Sequence, residues 1–274
     1  MSVQRKKFCN AASIFRTMRR QAFGDRRQWF LWLIIQSAAS FFYLYRMNYI
    51  YACEYGLTPC KADFFIWMDM LPAKYTFVLP VALCIFMKLG KELESEQFLI
   101  RKVHRRSVWY EMFIRTAVVS VLLTAVTVTA VSIYAAVNDY AFMNWNEKRS
   151  LYWFFMNGQV CTETISFWKV IFCFSSLNFL KYFFTGMAAA VTRIIIASPI
   201  PAWIFCMGTA LFDYGRSRPL FFYGKYSVDY ANWEEMHFLE MALSGGILIL
   251  LISAGGLAAI RRKNYYGKAN IREK

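Results

Sequence analysis

Lys181 stands alone as a formal charge deep inside a long apolar stretch, and Ser175, Asn178, Lys181 and Thr185 fall along one face if that stretch is helical. An ionisable group at such a depth is expensive in hydrocarbon and normally faces a bundle interior or a cavity. The chemistry open to this stripe is ion pairing or contact with a polar group in transit. Asn178, Lys181 and Thr185 are therefore candidates for a pathway or dimer face. Spacing assigns no carboxylate to Lys181. Two further stripes, Gln36/Ser40/Tyr43 and Ser120/Thr124/Thr127, fit ordinary helix–helix hydrogen bonding and hydroxyls bonding back to their own helix.

Other reactive side chains form no constellation. His104 and His237 are the only histidines and are expected on opposite faces of a membrane, so Glu234, Glu235 and His237 do not extend to a multi-histidine metal site. A serine protease within the bilayer would need a histidine at that depth, and none is there. The seven cysteines show no metal-ligand spacing; Cys53, Cys60 and Cys161 fall in segments expected outside, where disulfides persist. No metal site or catalytic residue is expected.

The elements that must position these residues are six apolar stretches: Trp29–Tyr45, Met70–Met87, Thr116–Val137, Ile165–Val191, Ile194–Phe212 and Met241–Ile260. A hydrocarbon core of roughly 30 Å takes about 20 helical residues. The fold class expected is all-α: a polytopic membrane protein with six transmembrane helices. Lys74, near the outer end of the second span, is expected to snorkel to the headgroups. Pro80 is expected to kink that span, and Pro199 and Pro201 to distort the start of the fifth.

Charge sets the orientation. The arm 1–28 carries eight Lys/Arg, the connection 88–115 seven, and the tail 261–274 six, with Arg193 in a tight turn between spans four and five. The opposite segments, 46–74, 138–169 and 213–240, hold nine. Lys and Arg concentrate in cytoplasmic loops, so both termini are expected in the cytosol. The net charge of +15 then reflects topology and anionic lipid rather than nucleic acid. Three parts follow: a cytosolic amphipathic arm (1–28), a six-helix transmembrane domain (29–260) and a basic cytosolic tail (261–274).

Within the arm, Phe8, Ala11, Ala12, Phe15, Met18 and Ala22 recur at helical spacing against Arg16, Arg19 and Arg20, as in an N-terminal amphipathic interfacial helix. The connection 88–115 places Leu89, Leu93, Ile100 and Val103 in an apolar stripe. Glu92, Glu94 and Glu96 precede Arg101, Lys102, Arg105 and Arg106, an order that suits a helix dipole. Such an element can lie on the membrane or dock into a soluble partner.

Six spans, the interfacial helix, this connection, a tight turn after span four and an outer segment before span six resemble the membrane subunit of an ABC-2 type transporter. In that family the connection after span two carries Glu, a Leu-like pair and a Val-x-Arg stretch. Glu94 or Glu96, Leu99-Ile100, Val103-His104-Arg105 and Arg115 stand at comparable positions, while the family's Gly-Thr and Pro are absent. The resemblance implies that Glu94, Glu96, Leu99, Ile100, Arg101, Lys102, Val103, Arg105 and Arg106 form a segment coupled to a cytosolic ATPase. It further implies a multi-pass protein of a bacterial cell membrane that exports an amphipathic peptide, antibiotic or lipid-like molecule, with 213–240 lidding the exit. The chain has no phosphate loop: Gly224-Lys225 is preceded by Pro219 where the first glycine would stand. ATP and Mg would belong to a separate nucleotide-binding subunit, and a second permease subunit would complete a homo- or heterodimer. This chain would bind no cofactor and would not itself be an enzyme. The alternatives are a membrane-embedded enzyme, or a non-ABC membrane transporter or sensor.

Overall fold

The computed structural model describes residues 26–93, 105–162, 164–196, 198, 200–214, 222–230 and 238–262. About 81% of this is helical, with no strand among the described residues. Helices α1 (Arg26–Asn48) and α2 (Lys61–Asp69) are followed by a turn at Leu71–Ala73, a π-helical stretch at Lys74–Val78 and α3 (Leu79–Leu93). Then come α4 (Arg105–Val137), α5 (Leu151–Phe155), α6 (Phe167–Ile196), α7 (Ile200–Asp213), α8 (Phe222–Lys225) and α9 (Phe238–Arg262).

Four segments are long and apolar enough to cross a membrane: Leu71–Gly90, Ser107–Val137, Phe167–Ile196 and Phe238–Ile260. The stretches expected as spans one and five fall outside this set for different reasons. Helix α1 has 23 residues, but Gln36, Ser37, Ser40 and Arg46 dilute its hydropathy. Helix α7 has only 14 residues, about 21 Å of rise. It begins late because α6 continues to Ile196, so Arg193 lies in the last turn of α6 and not in a tight connection. The arm before Arg26 and the tail beyond Arg262 lie outside the described residues.

The central element is α6, which packs against α2, α3, α4, α7 and α9. Outward-facing Phe30, Ile34 and Phe42 on α1, and Leu243, Ile247 and Leu250 on α9, are exposed, as suits hydrocarbon rather than water. Close approach of the helices depends on two glycines. A Cβ on Gly256 would lie 2.1 Å from Trp109 Cη2, and one on Gly186 would lie 2.4 Å from Thr116 Cγ2 and 2.7 Å from Phe86 Cε1. These contacts lie below van der Waals separation. Gly256→Ala and Gly186→Ala are each expected to cost about 1–3 kcal/mol by overpacking, measured as a lower midpoint of thermal unfolding in detergent. Shrinking Trp109 to Leu should recover part of the Gly256→Ala loss and none of the Gly186→Ala loss.

At one end of the bundle, residues 57–69, 138–162 and 222–230 form a cap. Main-chain bonds join Thr58 N to Arg149 O (3.0 Å), Lys61 N to Ala141 O (2.9 Å) and Cys161 N to Trp145 O (3.0 Å). Aromatic rings extend the connection: Tyr51 stacks on Trp67, Trp145 on Tyr152, and Phe155 on Tyr230. Helix α2 runs through this cap with every residue from Ala62 to Asp69 buried. Its buried residues are apolar on every side apart from Asp63 and Asp69, and such a helix is stable only when surrounded.

Candidate functional site

The membrane segment Leu71–Gly90 and the helix α2 before it do not form one continuous helix. Helix α2 starts at Cys60, where Asp63, three residues on, accepts a hydrogen bond from the Cys60 amide (2.7 Å). This is the reciprocal half of a capping box. It stops at Met70, whose backbone is extended (φ −63°, ψ 149°). Pro72 sits in the first positions of the next turn, where its missing N–H leaves no bond unmade. The backbone then widens into the π-helical stretch Lys74–Val78. Pro80, just beyond, has no N–H to offer the carbonyls one turn back, which favours that widening. The kink expected at Pro80 is thus a break spread over residues 70–78.

The break brings three charges together inside the bundle. Lys181 on α6 pairs closely with Asp69 Oδ1, and Lys74 Nζ lies 3.6 Å from the same oxygen. Lys74 also donates to the Tyr223 carbonyl (3.0 Å) and closely to Ser227 Oγ. The other carboxylate oxygen, Oδ2, accepts from the Val228 amide (2.6 Å). Asp69 is fully buried, Lys74 is 2% exposed and Lys181 4%. At 1.5 Å per residue, Lys181 lies about 18 Å along α6 from Arg193 and about 21 Å from Phe167, near mid-helix.

Two sequence expectations are corrected here. Lys74 does not snorkel: the break turns its side chain inward, where three acceptors receive it. Lys181 does have a carboxylate, Asp69, which spacing had placed outside the apolar run; ending α2 at Met70 aims that side chain into the bundle. Buried ions are tolerated when paired and hydrogen-bonded, because desolvation costs several kcal/mol per ion. Two lysine side chains thus share one carboxylate in this cluster.

The remaining stripe residues are held within the chain. Asn178 donates to Phe174 O (3.1 Å), and Thr185 donates to Lys181 O (2.7 Å) while meeting Tyr223 Oη (2.8 Å). Asn178, Lys181 and Thr185 are all at most 4% exposed, so the face they share points into the bundle. The stripes on the first and third apolar stretches converge on Tyr182: Gln36 Nε2 lies 3.3 Å and Thr127 Oγ1 3.0 Å from its hydroxyl. Ser40, Ser120 and Thr124 bond back to carbonyls four residues earlier.

A second buried carboxylate organises the cap. Asp63 Oδ1 accepts from Trp145 Nε1 (2.8 Å) and Tyr230 Oη (2.9 Å), and Oδ2 accepts from the Cys60 amide. Burial pushes this carboxyl up to about 6, against the pull of those donors toward ionisation. Cys53 and Cys60 are both free thiols, the first exposed and the second buried.

Within the proposed coupling segment, Glu94, Glu96, Leu99, Ile100, Arg101, Lys102 and Val103 lie outside the described residues, and Arg105 and Arg106 open α4. His104, Glu234, Glu235 and His237 also lie outside them. The flanks of the segment are described. Arg193 Nη1 donates to Met87 O (3.0 Å), and a Cβ on Gly90 would lie 3.1 Å from Arg193 Cδ. On α4, Arg115 and Glu111 form a buried pair at 2.6 Å.

Asp69, Lys74 and Ser227 were missed as site residues in the sequence. The available signal was the run Asp69-Met70-Leu71-Pro72-Ala73-Lys74, with a proline and two charges at the edge of an apolar stretch. Comparisons with protein-family models, with characterised proteins and with solved structures return no match to this chain.

Proposed function

We propose that this chain is the transmembrane permease subunit of an ABC-type exporter, moving an amphipathic substrate with energy from a separate ATPase subunit. The observation that carries the reading is the interrupted second membrane segment, with an ion cluster buried near mid-depth against the central helix. Interrupted membrane helices and intramembrane ionisable groups concentrate where transporters hold and pass their cargo.

The layout supports the mechanical half of the proposal. The connection 88–115 joins α3 to α4, and the α3 end is seated against Arg193 on α6. A push on that connection would reach α6, which carries Lys181 about 18 Å further along. In this reading α1 and α7 complete six spans, both termini lie in the cytosol, and two such subunits pair in the cell membrane around a pathway. The ABC assignment within the broader transporter class rests on the resemblance of the 88–115 connection.

The test is co-purification with an ATPase that carries a phosphate loop and is encoded beside this chain. Reversing Arg101, Arg105 and Arg106 to Glu is expected to lower ATPase activity stimulated by the permease about tenfold while leaving membrane insertion intact. Assembly and transport that survive all three reversals would overturn the docking role of 88–115.

A further inference from the structure

Asp69 Oδ1 is addressed by two ammonium groups on different elements, closely by Lys181 and at 3.6 Å by Lys74. The backbone between Asp69 and Lys74 is irregular, with an extended Met70, a turn at Leu71–Ala73 and then π-helix. Their separation is therefore not fixed by one continuous hydrogen-bond ladder. Residues 223–228 hold both ends of the break, through Lys74 to Tyr223 O and Ser227, and through Val228 N to Asp69 Oδ2. A lone buried pair would strand a bare carboxylate whenever it separated, which is strongly unfavourable. With a second lysine on the same oxygen the carboxylate is never left bare, and separation instead leaves Lys181 to find another acceptor.

We infer that Asp69, Lys74 and Lys181 form a two-position latch, in which the Asp69 carboxylate passes from Lys181 to Lys74 as the second span bends at Met70 and so frees the cap from α6. This rests on the reading of the chain as a gated membrane pathway, and it adds the place where the gate is held. The closed position is the one described: Lys181 ties the end of α2 to the middle of α6. In the other position the pair joins the end of α2 to the stretch Lys74–Val78, and α6 separates from the cap with loss of the Thr185–Tyr223 contact. Bistable elements that exchange one satisfied arrangement for another are how small shifts become domain movements.

Cys206 on α7 is a built-in reporter. It is fully buried, and its thiol lies against the Tyr223 hydroxyl, so lifting 222–230 uncovers it. The experiment measures modification of Cys206 by a membrane-impermeant thiol reagent, by peptide mass spectrometry, on the purified full chain in nanodiscs without any ATPase. Exposed Cys53 serves as the internal control. Lys74→Met leaves Asp69 only its closed partner but also removes the Lys74 bonds that hold 222–230, so it is read against Ser227→Ala, and labelling of Cys206 is expected to be at least threefold slower than in that variant. Lys181→Met leaves only the open partner, and labelling is expected to rise about tenfold with Cys53 unchanged. Rates in both variants above that of Ser227→Ala would show a static structural cluster and overturn the latch, as would a Lys74→Met rate that does not fall below that of Ser227→Ala. That last outcome decides the matter even if Lys181→Met fails to fold. Because no ATPase or transport enters the readout, failure of the exporter reading would show separately, as absent co-purification beside intact latch behaviour.

Discussion

Asp69→Asn is expected to destabilise the purified protein by about 3–5 kcal/mol, because it leaves buried Lys181 without its closely paired carboxylate and removes the acceptor that faces Lys74. The amide also presents an N–H2 group to donors that need an acceptor: Lys181 or Lys74 on one side, the Val228 amide on the other. The measurement is thermal or denaturant unfolding in a fixed detergent. Removing the stranded charge should then help. Adding Lys181→Met to Asp69→Asn is expected to recover at least half of the loss, although Lys181→Met alone is itself unfavourable. Strictly additive effects would mean that the short contact between Asp69 and Lys181 carries no coupling energy.

Asp63→Ala is the second large effect. It strands Trp145 Nε1, Tyr230 Oη and the Cys60 amide, three buried donors from three segments. Each unmet group costs about 1–3 kcal/mol, with relaxation absorbing some of the sum, so a loss of about 3 kcal/mol or more is expected. The carboxyl also makes the cap sensitive to pH. Its folded value, about 6, lies above its ordinary 3.8, so the folded state holds the proton more tightly than the unfolded chain does. The stabilisation is complete below the ordinary value and is lost as pH rises through the folded one. The unfolding midpoint should therefore fall between about pH 4 and pH 6–7. Asp63→Asn should flatten that slope, and a slope that persists would assign it to another group.

The helical class and the apolar stretches were legible because burial in hydrocarbon demands long runs, and long runs are the strongest periodic signal a chain carries. The ends were less legible. Helix α6 extends past Val191 to Ile196 and α7 does not start until Ile200, because hydropathy marks what suits lipid and not where backbone hydrogen bonds stop. The candidate site divides in the same way. Lys181 announced itself, as an isolated charge in a span must. Asp69 did not, because its position inside the bundle follows from the extended backbone at Met70, a single pair of dihedral angles with no hydropathy signature. Lys74 was misplaced for a related reason. Snorkelling is the cheapest fate for a lysine near the end of a regular helix, and this helix is irregular there. The triple contact on Asp63 joins residues as much as 167 positions apart, and one sequence carries no trace of such a pairing.

The burial of α2 on every side has a consequence for synthesis. Ribosomes deliver the chain from its N-terminus, so Lys61–Asp69 emerges long before the residues that enclose it. Trp145 follows some 80 positions later, Lys181 more than 100, and Tyr230 more than 160. Until then two carboxylates and a row of aromatic rings await partners that have not been made. The nascent cap is thus an unfinished assembly for most of translation, and insertion factors or proteases that recognise exposed polar groups would find it during that interval. A chain stopped before residue 222 would lack both the segment that closes over α2 and the last membrane helix, α9.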